Sequence, residues 1–374
     1  MDKKRIVVKI GSSSLTNANG EIAEGKLKDH VKAIVSARRA GHEIILVSSG
    51  AVAAGFKKLG YPVRPVKLKG KQAAAAVGQS LLIQTYAKEL APFGITPAQI
   101  LLTRNDFSKK DRYRNAYSTI SELLARGVLP IINENDTVSV EELTFGDNDM
   151  LSALVSGMLH ADQLIILTDI NGLYDRDPRD DYNAKRFDFL EDVSEEMMEA
   201  AKGTGSNVGT GGMKSKLLAA KTAISLGVKV FIGLGNGEDK LLRILTGFGD
   251  GTYIGTEMLS SVKNNKQWIS LHSPIAGKLF IDQGAEKALL SQGSSLLPAG
   301  IYGVDGVFDK GNVVEVYGRS GLLGKGEVLY SSDEIRKLMG KGREELKFEK
   351  VYITNEVIHR DQWVQIYEGR DEHE

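Results

Sequence analysis

Apolar residues up to about Asp250 fall into short continuous runs that alternate with longer amphipathic stretches. A short run such as RIVVKI at Arg5–Ile10 predicts a buried strand, whereas apolar residues recurring every three or four positions predict a helix. Strand and helix alternate repeatedly, which predicts an α/β fold, a mainly parallel sheet sandwiched by helices. The predicted strands are Arg5–Ile10, Ile44–Val47, Ile100–Leu102, Leu129–Ile132, Leu164–Leu167 and Val228–Ile232, and the predicted helices Gly25–Ala40, Gln72–Leu90, Asp147–His160 and Lys214–Leu226.

The pattern changes after about Lys266, where short strands separated by glycine turns take over. This pattern predicts a small, mostly β second domain. We therefore expect a first domain over residues 1–259, a linker over 260–274, the second domain over 275–364 and a charged tail over 365–374. The second domain's predicted strands are Gly277–Ile281, Gly300–Val304, Gly311–Tyr317, Gly326–Leu329 and Tyr352–Val357.

Charge and cysteine content exclude several classes of function. Lysine plus arginine (48) equals aspartate plus glutamate (48), so bulk attraction to nucleic acid or to an anionic membrane is not expected. The chain has no cysteine, which excludes disulfides, thiolate metal sites and cysteine nucleophiles. It also lacks a signal-peptide pattern and an apolar run long enough to span a bilayer, which predicts a cytoplasmic protein with no membrane partner.

Two of the predicted strands end in loops suited to anions. Lys9 precedes Gly11–Ser14, and a cation beside free backbone N–H groups is what a phosphate requires. Taken alone, a solvated lysine before an ordinary turn is the commoner arrangement. The second loop, Ser48–Ala51, consists of small residues that allow a ligand to approach the backbone, although it also fits a tight strand-to-helix turn.

A third loop is rich in glycine, with five glycines in the ten positions from Gly203 to Gly212. Such a segment cannot form a stable helix or strand, because each glycine costs about 1 kcal/mol relative to alanine there. Neither Lys214 nor Lys216 directly follows a glycine, so the loop is not a Walker A phosphate loop. Its length and glycine density favour a nucleotide-binding loop over a bland surface loop.

The fourth loop carries acidic and amide residues, Asn133–Thr137, with Gly146–Asp149 close behind. We expect Asp147 to cap the following helix. The other carboxylates and amides can bind an ammonium group, order lysines or hold a metal, but their spacing excludes an EF-hand. After the next strand, Thr168-Asp169 either touches a nucleotide or caps the turn at Asn171-Gly172.

The histidines and a lysine-rich segment do not indicate a functional site. The six histidines show no paired spacing of metal ligands, which favours structural or surface roles. A basic segment is interpreted as a solvated loop and not as a nucleic-acid site; it contains Lys67, Lys69 and Lys71.

Read together, the loops favour phosphoryl transfer. Two lysines beside separate glycine-rich loops can bind a phosphoryl group by charge, and an aspartate can hold them in position. Phosphoryl transfer depends on positioning and charge neutralisation more than on covalent catalysis. The sequence shows no convincing general base. That absence fits an acceptor already ionised at neutral pH, such as a carboxylate with a pKa of about 4, and the product would be an acyl phosphate.

Five segments resemble the amino acid kinase family, in particular its members that phosphorylate glutamate, and the likeness covers essentially the whole chain. They are Val8–Ser13, Ser48–Val52, Asn133–Asp136, Gly146–Asp149 and Gly209–Lys216. The region from about Ile275 to Val364 resembles a PUA domain, most clearly at Asp282–Leu289 and Ser295–Gly300. A kinase followed by a PUA domain is a highly specific combination.

The resemblance implies ATP-dependent phosphorylation of the γ-carboxylate of L-glutamate to L-glutamyl 5-phosphate, the first step of proline biosynthesis. Lys9 and Lys216 would neutralise the transferring phosphoryl group and Asp149 would hold both lysines, while Gly11 and Gly50 would offer N–H groups to phosphoryl oxygens.

Substrate contacts follow from the same resemblance. Glutamate would be bound by Ser49, Asp136 and Asn148, with Asp136 facing its α-ammonium group. Mg²⁺ would be held mainly by the ATP phosphates, without a dedicated protein metal site. ATP itself would be bound by Lys9, Thr168, Asp169, Thr210, Gly211, Gly212, Met213, Lys214, Ser215 and Lys216. Ser215 stands where the family usually has threonine, and the hydroxyl is kept.

The resemblance also implies binding partners, and two alternative functions are considered. The resemblance implies feedback inhibition by proline, transfer of the product to glutamyl phosphate reductase, and a homo-oligomer. A related kinase acting on aspartate, N-acetylglutamate or a nucleoside monophosphate is the nearest alternative. An RNA-binding protein is the distant one, but Ile275–Val364 carries 12 Lys+Arg against 13 Asp+Glu, which predicts no appreciable affinity for nucleic acid.

Overall fold

The computed structural model describes residues 2–138, 148–176, 178, 181–200, 212–256, 268–269, 273–291, 293–319, 321–341 and 356–365. The chain divides into two compact units. The first comprises Met1–Asp106 and Arg114–Val262, and the second Phe107–Tyr113 and Lys263–Glu374. The expected linker and the expected tail lie mostly outside the described residues, so the domain boundaries stay predictions.

A twisted sheet forms the centre of the first unit. Its order is β3-β4-β2-β1-β5-β9-β10-β8, and the neighbouring strands from β3 to β9 are all parallel, whereas β10 runs antiparallel to β9. A separate hairpin pairs β6 with β7. The strands are β1 Arg5–Ile10, β2 Glu43–Ser48, β3 Pro97–Leu102, β4 Leu129–Glu134, β5 Gln163–Leu167, β6 Leu173–Tyr174, β7 Arg186–Phe187, β8 Phe189–Leu190, β9 Lys229–Gly233 and β10 Gly251–Ile254.

Helices connect these strands, as the alternating pattern predicted. The helices up to Leu245 are α1 Ser12–Leu15, α2 Glu24–Arg39, α3 Ala51–Gly55, α4 Leu68–Leu90, α5 Arg104–Ser108, α6 Lys110–Ala125, α7 Asn148–Met158, α8 Glu195–Ala200, α9 Met213–Ser225 and α10 Lys240–Leu245. The predicted cap at Asp147 lies outside the described residues. The short helices α1, α3, α5, α8 and α10 and the two-residue strands were not predicted, because segments this short carry no periodicity. The 16-residue helix α6 and the strand β10 were also missed.

Alternate residues of β1 face different helices. Ile6, Val8 and Ile10 are buried in a core shared with α2, α4 and α10. Because successive side chains of a strand point to opposite faces, Lys9 faces the other layer, where α7 and α9 lie. Helices therefore cover both faces of the sheet, and the predicted α/β architecture is confirmed.

Helix α4 starts four residues earlier than the predicted Gln72, and this corrects the interpretation of the basic segment. Lys69 and Lys71 belong to the first turn of α4 and not to a loop. The helix packs against α3 at very short range, because a Cβ on Gly55 would overlap the backbone at Ala74 and one on Gly78 would overlap the backbone at Ala51. Only glycine fits at this crossing.

The order of the strands indicates where a ligand would bind. β1 lies between β2 on one side and β5 on the other, so the chain reverses its direction of growth across the sheet at β1. In open parallel sheets, ligands bind in the crevice at the carboxyl ends of the strands beside such a switch point. The loops after β1, β2, β4 and β5 meet at this edge.

The second unit contains a five-stranded sheet of order β12-β11-β13-β14-β15. All its pairings are antiparallel except the parallel pair of β11 and β13, which confirms a mostly β second domain. The predicted strand Tyr352–Val357 falls largely outside the described residues. The elements are β11 Ile275–Ile281, α11 Gln283–Ser291, β12 Ile301–Gly306, β13 Val313–Gly318, β14 Gly321–Val328, α12 Ser332–Leu338 and β15 Ile358–Gln365.

Helix α12 shows how local sequence starts an element in this unit. Ser331 accepts a hydrogen bond from the backbone N–H of Glu334, while the Glu334 carboxylate accepts one from the Ser331 N–H. This capping box satisfies two donors that would otherwise lack partners. None of the helices in the described part of the chain is long and apolar enough to cross a membrane.

Candidate active site

A buried carboxylate joins two lysines that are far apart in the sequence. The Lys9 Nζ lies 2.5 Å from Asp149 Oδ1, and the Lys216 Nζ donates to Asp149 Oδ2 at 3.1 Å. Asp149 is fully buried, and the two lysines are almost so. The Ser215 hydroxyl lies 3.0 Å from Asp149 Oδ2 as well. The structure thus brings four of the predicted site residues together.

Three elements carry this cluster. Lys9 is the last but one residue of β1, while Asp149 and Lys216 belong to the first turns of α7 and α9. The two helices pack closely, since a Cβ on Gly157 of α7 would overlap the Leu226 side chain at the end of α9. Both helix starts therefore lie beside the carboxyl end of β1.

The cluster has excess positive charge. Two lysines share one carboxylate, so one unit of charge is left over. Burying charged groups is costly unless they are paired, and here Asp149 pairs with both cations. A remaining positive charge in a water-poor site attracts an anion strongly, and the arrangement is suited to a phosphoryl group.

Two glycines shape the loops on either side of Lys9. A Cβ on Gly11 would lie 3.5 Å from the Lys9 Nζ and 3.7 Å from the Leu167 carbonyl oxygen, so any side chain there would fill the space next to the amine. Gly50 has a φ of 106°, in the left-handed region that favours glycine. A Cβ at Gly50 would also press against Ile22 at 3.0 Å.

A chain of amides fixes the loop after β2. The Asn148 Nδ2 donates to the Ser48 carbonyl at 3.0 Å, to Ser49 Oγ at 3.1 Å and to Asn133 Oδ1 at 2.8 Å. Asn133 in turn donates to Gln79 Oε1 at 2.9 Å. Because three acceptors occupy the nitrogen, the Asn148 Oδ1 is oriented away from them, and it accepts no hydrogen bond from the described residues.

A cavity of about 110 Å³ opens beside this network. Its walls include four predicted site residues, namely Ser49, Gly50, Asp136 and Asn148, together with Ser12, Ala51, Val52, Arg64, Asn133 and Glu134. Burial raises the pKa of Asp136 to about 6, although the charges of Arg64 and Lys71 act in the opposite direction. The cavity thus offers a carboxylate and an amide oxygen as acceptors, and a guanidinium as donor.

The remaining predicted residues lie at neighbouring positions or outside the described residues. The Thr168 N–H donates to the Gly233 carbonyl at 3.0 Å, which ties the loop after β5 to the end of β9, and Asp169 is exposed beside it. Gly212 precedes α9 in an extended conformation. Met213 and Lys214 begin that helix. The predicted nucleotide contacts Thr210 and Gly211 fall outside the described residues.

Two residues of α2 that the sequence analysis did not single out bind backbone carbonyls of α1 and of the residue that follows it. The Lys26 Nζ donates to the carbonyls of Ser13 and Thr16, at 3.1 and 2.8 Å. His30 lies one turn further along α2, with its Nε2 3.2 Å from the Ser14 carbonyl. Burial is the main cause that lowers the pKa of His30 to about 4, so the ring is neutral and Nε2–H donates. Their spacing of four residues on a helix was the available signal.

A larger cavity, of about 320 Å³, lies beyond the end of β9 between Leu234 and Asp250. None of the predicted site residues lines it. Of these two cavities, the smaller is lined by predicted site residues, among them Asn148, which precedes Asp149 in α7. No group of three or more histidine, aspartate or glutamate side chains in the described ranges could hold a metal ion.

Known proteins resemble this chain over almost its full length. The model of the amino acid kinase family matches residues 4–233, and that of the PUA domain matches residues 277–352. A glutamate 5-kinase 1 of Bacillus subtilis (strain 168) is 65% identical over 366 residues, which cover 98% of this chain and 100% of that protein. A glutamate 5-kinase 1 of Bacillus licheniformis is 63% identical, also over 98% and 100%.

Solved structures are more distant in sequence. A carbamate kinase from Giardia lamblia bound to AMP-PNP is 16% identical, with a TM-score of 0.48, and the match covers 67% of this chain and 98% of that one.

Proposed function

The chain belongs to the amino acid kinase family, and from that premise we propose how its residues carry out the reaction of a glutamate 5-kinase. The enzyme phosphorylates the γ-carboxylate of L-glutamate with ATP, the first step of proline biosynthesis, in line with its 65% identity to a curated enzyme of that name. The structural observation that carries the proposal is the pair of lysines on Asp149, next to a cavity with acceptors for an ammonium group.

The phosphoryl group passes from the bridging oxygen of ATP to an ionised carboxylate oxygen of glutamate. A γ-carboxylate oxygen of glutamate attacks the γ-phosphorus of ATP, the bond from that phosphorus to the bridging oxygen breaks, and ADP leaves with the bonding electrons. Lys9 and Lys216 neutralise the phosphoryl oxygens, while Asp149 holds both amines in place. The N–H groups of Gly11 and Gly50 add donors that need no reorganisation.

The acceptor needs no general base. A γ-carboxyl group with a pKa of about 4.3 is already ionised at neutral pH. Asp136 and the Asn148 Oδ1 bind the α-ammonium group, since both are acceptors beside the same cavity and an ammonium group offers only donors. Ser49 contributes its hydroxyl, which the Asn148 amide orients.

ATP enters with Mg²⁺ as its counter-ion. Thr168 and Asp169, Gly212 and the first turn of α9 bind the nucleotide, and the predicted contacts Thr210 and Gly211 complete this set. Among the described residues, Asp149 is the acidic residue that contacts the two lysines. Its oxygens face Lys9, Lys216 and Ser215, which leaves it unsuited to ligate a metal. Mg²⁺ is therefore held by phosphate oxygens, in keeping with its preference for substrate phosphates and water.

The resemblance supports four further parts of the proposal. Proline inhibits the enzyme as the end product, and a glutamyl phosphate reductase consumes the labile acyl phosphate. The enzyme forms a homo-oligomer and works in the cytoplasm.

Trapping the acyl phosphate tests the activity. Purified protein with ATP, Mg²⁺, L-glutamate and hydroxylamine should form γ-glutamyl hydroxamate, and parallel reactions with aspartate or N-acetylglutamate should form much less. Hydroxamate from either of those acceptors and none from glutamate would refute the assignment.

Micromolar binding of RNA at physiological salt would show that the second domain has a nucleic-acid partner, which its net charge does not predict.

A further inference from the structure

The acceptor cavity contains a cation to which no role has been assigned. Arg64 lines it together with Asp136 and Asn148. Its guanidinium makes no hydrogen bond or ion pair with a residue that the structure describes. The Lys71 amine, whose charge also acts on Asp136, makes no such contact among the described residues either.

The sequence holds Arg64 over the cavity. Arg64 precedes Pro65, and a residue before proline favours an extended backbone. Pro65 packs onto the first turn of α4, where a Cβ on Gly70 would lie only 2.9 Å from the Pro65 Cβ. The neighbours Val63 and Val66 are 72% and 84% exposed, so the loop presents its apolar side chains to solvent and its arginine to the cavity.

The charges of the cavity match an amino acid. Asp136 and the Asn148 Oδ1 accept hydrogen bonds, which suits the α-ammonium group, and the lysine cluster marks the end where the γ-carboxylate reacts. The α-carboxylate then remains without a partner among the proposed contacts. A guanidinium has the planar fork of donors that binds a carboxylate at both oxygens.

We propose that Arg64 is a specificity-determining residue that binds the α-carboxylate of the amino acid acceptor. The assignment rests on the proposed reaction with glutamate. It explains how the site distinguishes an α-amino acid from a simple carboxylate. Arg64 contributes to substrate binding and not to the stabilisation of the transferring phosphoryl group, because Lys9 and Lys216 provide that charge.

A pair of acceptors tests this assignment. L-Isoglutamine keeps the α-ammonium and the γ-carboxylate of glutamate but replaces the α-carboxylate by a neutral amide. The test compares both compounds in the wild-type enzyme and in Arg64→Gln, by the hydroxamate assay or, if isoglutamine is not turned over, by its inhibition constant against glutamate. Arg64→Lys keeps the charge without the fork. Lys67→Gln is the matched control, because it removes a neighbouring exposed charge that does not line the cavity.

We expect Arg64→Gln to raise the KM for glutamate roughly 10-fold. This is the smallest effect usual for losing a hydrogen bond to a charged group, and it is chosen because Arg64 is exposed and solvent weakens the interaction. Its kcat, and its affinity for isoglutamine, should stay within about threefold of wild type. Arg64→Lys should be intermediate and Lys67→Gln unchanged. An equal loss for both compounds, a fall in kcat alone, or no change would overturn the assignment. Failure of the wild-type enzyme to phosphorylate glutamate would instead refute the proposed function.

Discussion

Replacing Lys216 tests the phosphoryl clamp most simply. Lys216→Ala removes one of the two amines on Asp149, and Lys216→Met removes the same charge while keeping an unbranched apolar stem in the buried site. Asp149 keeps Lys9 at 2.5 Å in both variants, so the carboxylate is not left buried without a cation. The fold should therefore tolerate the change, and the loss should appear in catalysis.

The size of the loss follows from the role. Removing one preorganised donor that stabilises developing charge lowers kcat by about 10²–10³-fold, or about 2.7–4 kcal/mol. Lys216 does not line the acceptor cavity, so the KM for glutamate should change by less than about threefold. Both constants can be read from a coupled assay for ADP with glutamate varied at saturating ATP.

A lysine on the same helix provides the control. Lys221 lies five residues further along α9 and pairs with Glu195 at the surface, so Lys221→Ala should keep wild-type kinetics. If both Lys216 variants retain kcat within about threefold of wild type, Lys216 does not neutralise the phosphoryl group. A loss confined to the KM for glutamate would place it in the acceptor site instead.

Two further changes test the carboxylates. Asp149→Asn leaves two buried lysines without an anion, so it should reduce the free energy of unfolding in urea by about 3–5 kcal/mol. The control Glu195→Gln, which removes a surface charge, should reduce it by less than about 1 kcal/mol. An Asp149→Asn variant as stable as wild type would contradict the pairing. Asp136 has a pKa raised to about 6, so below that pH it takes up a proton and loses the charge that binds the ammonium group. The KM for glutamate should rise about tenfold per pH unit below about 6, and Asp136→Asn should raise the KM at pH 8 and abolish this dependence. A KM that is constant between about pH 5 and about pH 8 would remove Asp136 from ammonium binding.

The positions of the strand-end loops could be predicted because a parallel sheet brings the carboxyl ends of its strands to one edge. Lys9 is the last but one residue of β1, Ser49 follows β2 and Asp136 follows β4. That they lie close together could therefore be expected once the strands were identified. That Lys9 and Lys216 meet on Asp149 was implied only by the resemblance, because the packing of α7 on α9 depends on a close approach at Gly157 that no periodicity reveals.

Three features of the site region could not be predicted from the sequence: Arg64, Gln79 and the start of α4. Arg64 lies in a loop without a motif, and its access to the cavity depends on the contact between Pro65 and Gly70. Gln79 stands in an alanine-rich helix that resembles ordinary core, and its bond to Asn133 is visible only in three dimensions. The early start of α4 was missed because lysines and a glycine interrupt its apolar pattern at Leu68–Lys71.

The central claim is that Lys9 and Lys216 together contact the phosphoryl group during transfer. A crystal structure with ADP, Mg²⁺, L-glutamate and aluminium fluoride, a planar mimic of that group, tests it most directly. Both Nζ atoms are expected within about 3 Å of fluoride ligands, with Asp149 still between the lysines. Either amine turned away from the mimic, in a complex with both substrates in place, would contradict it.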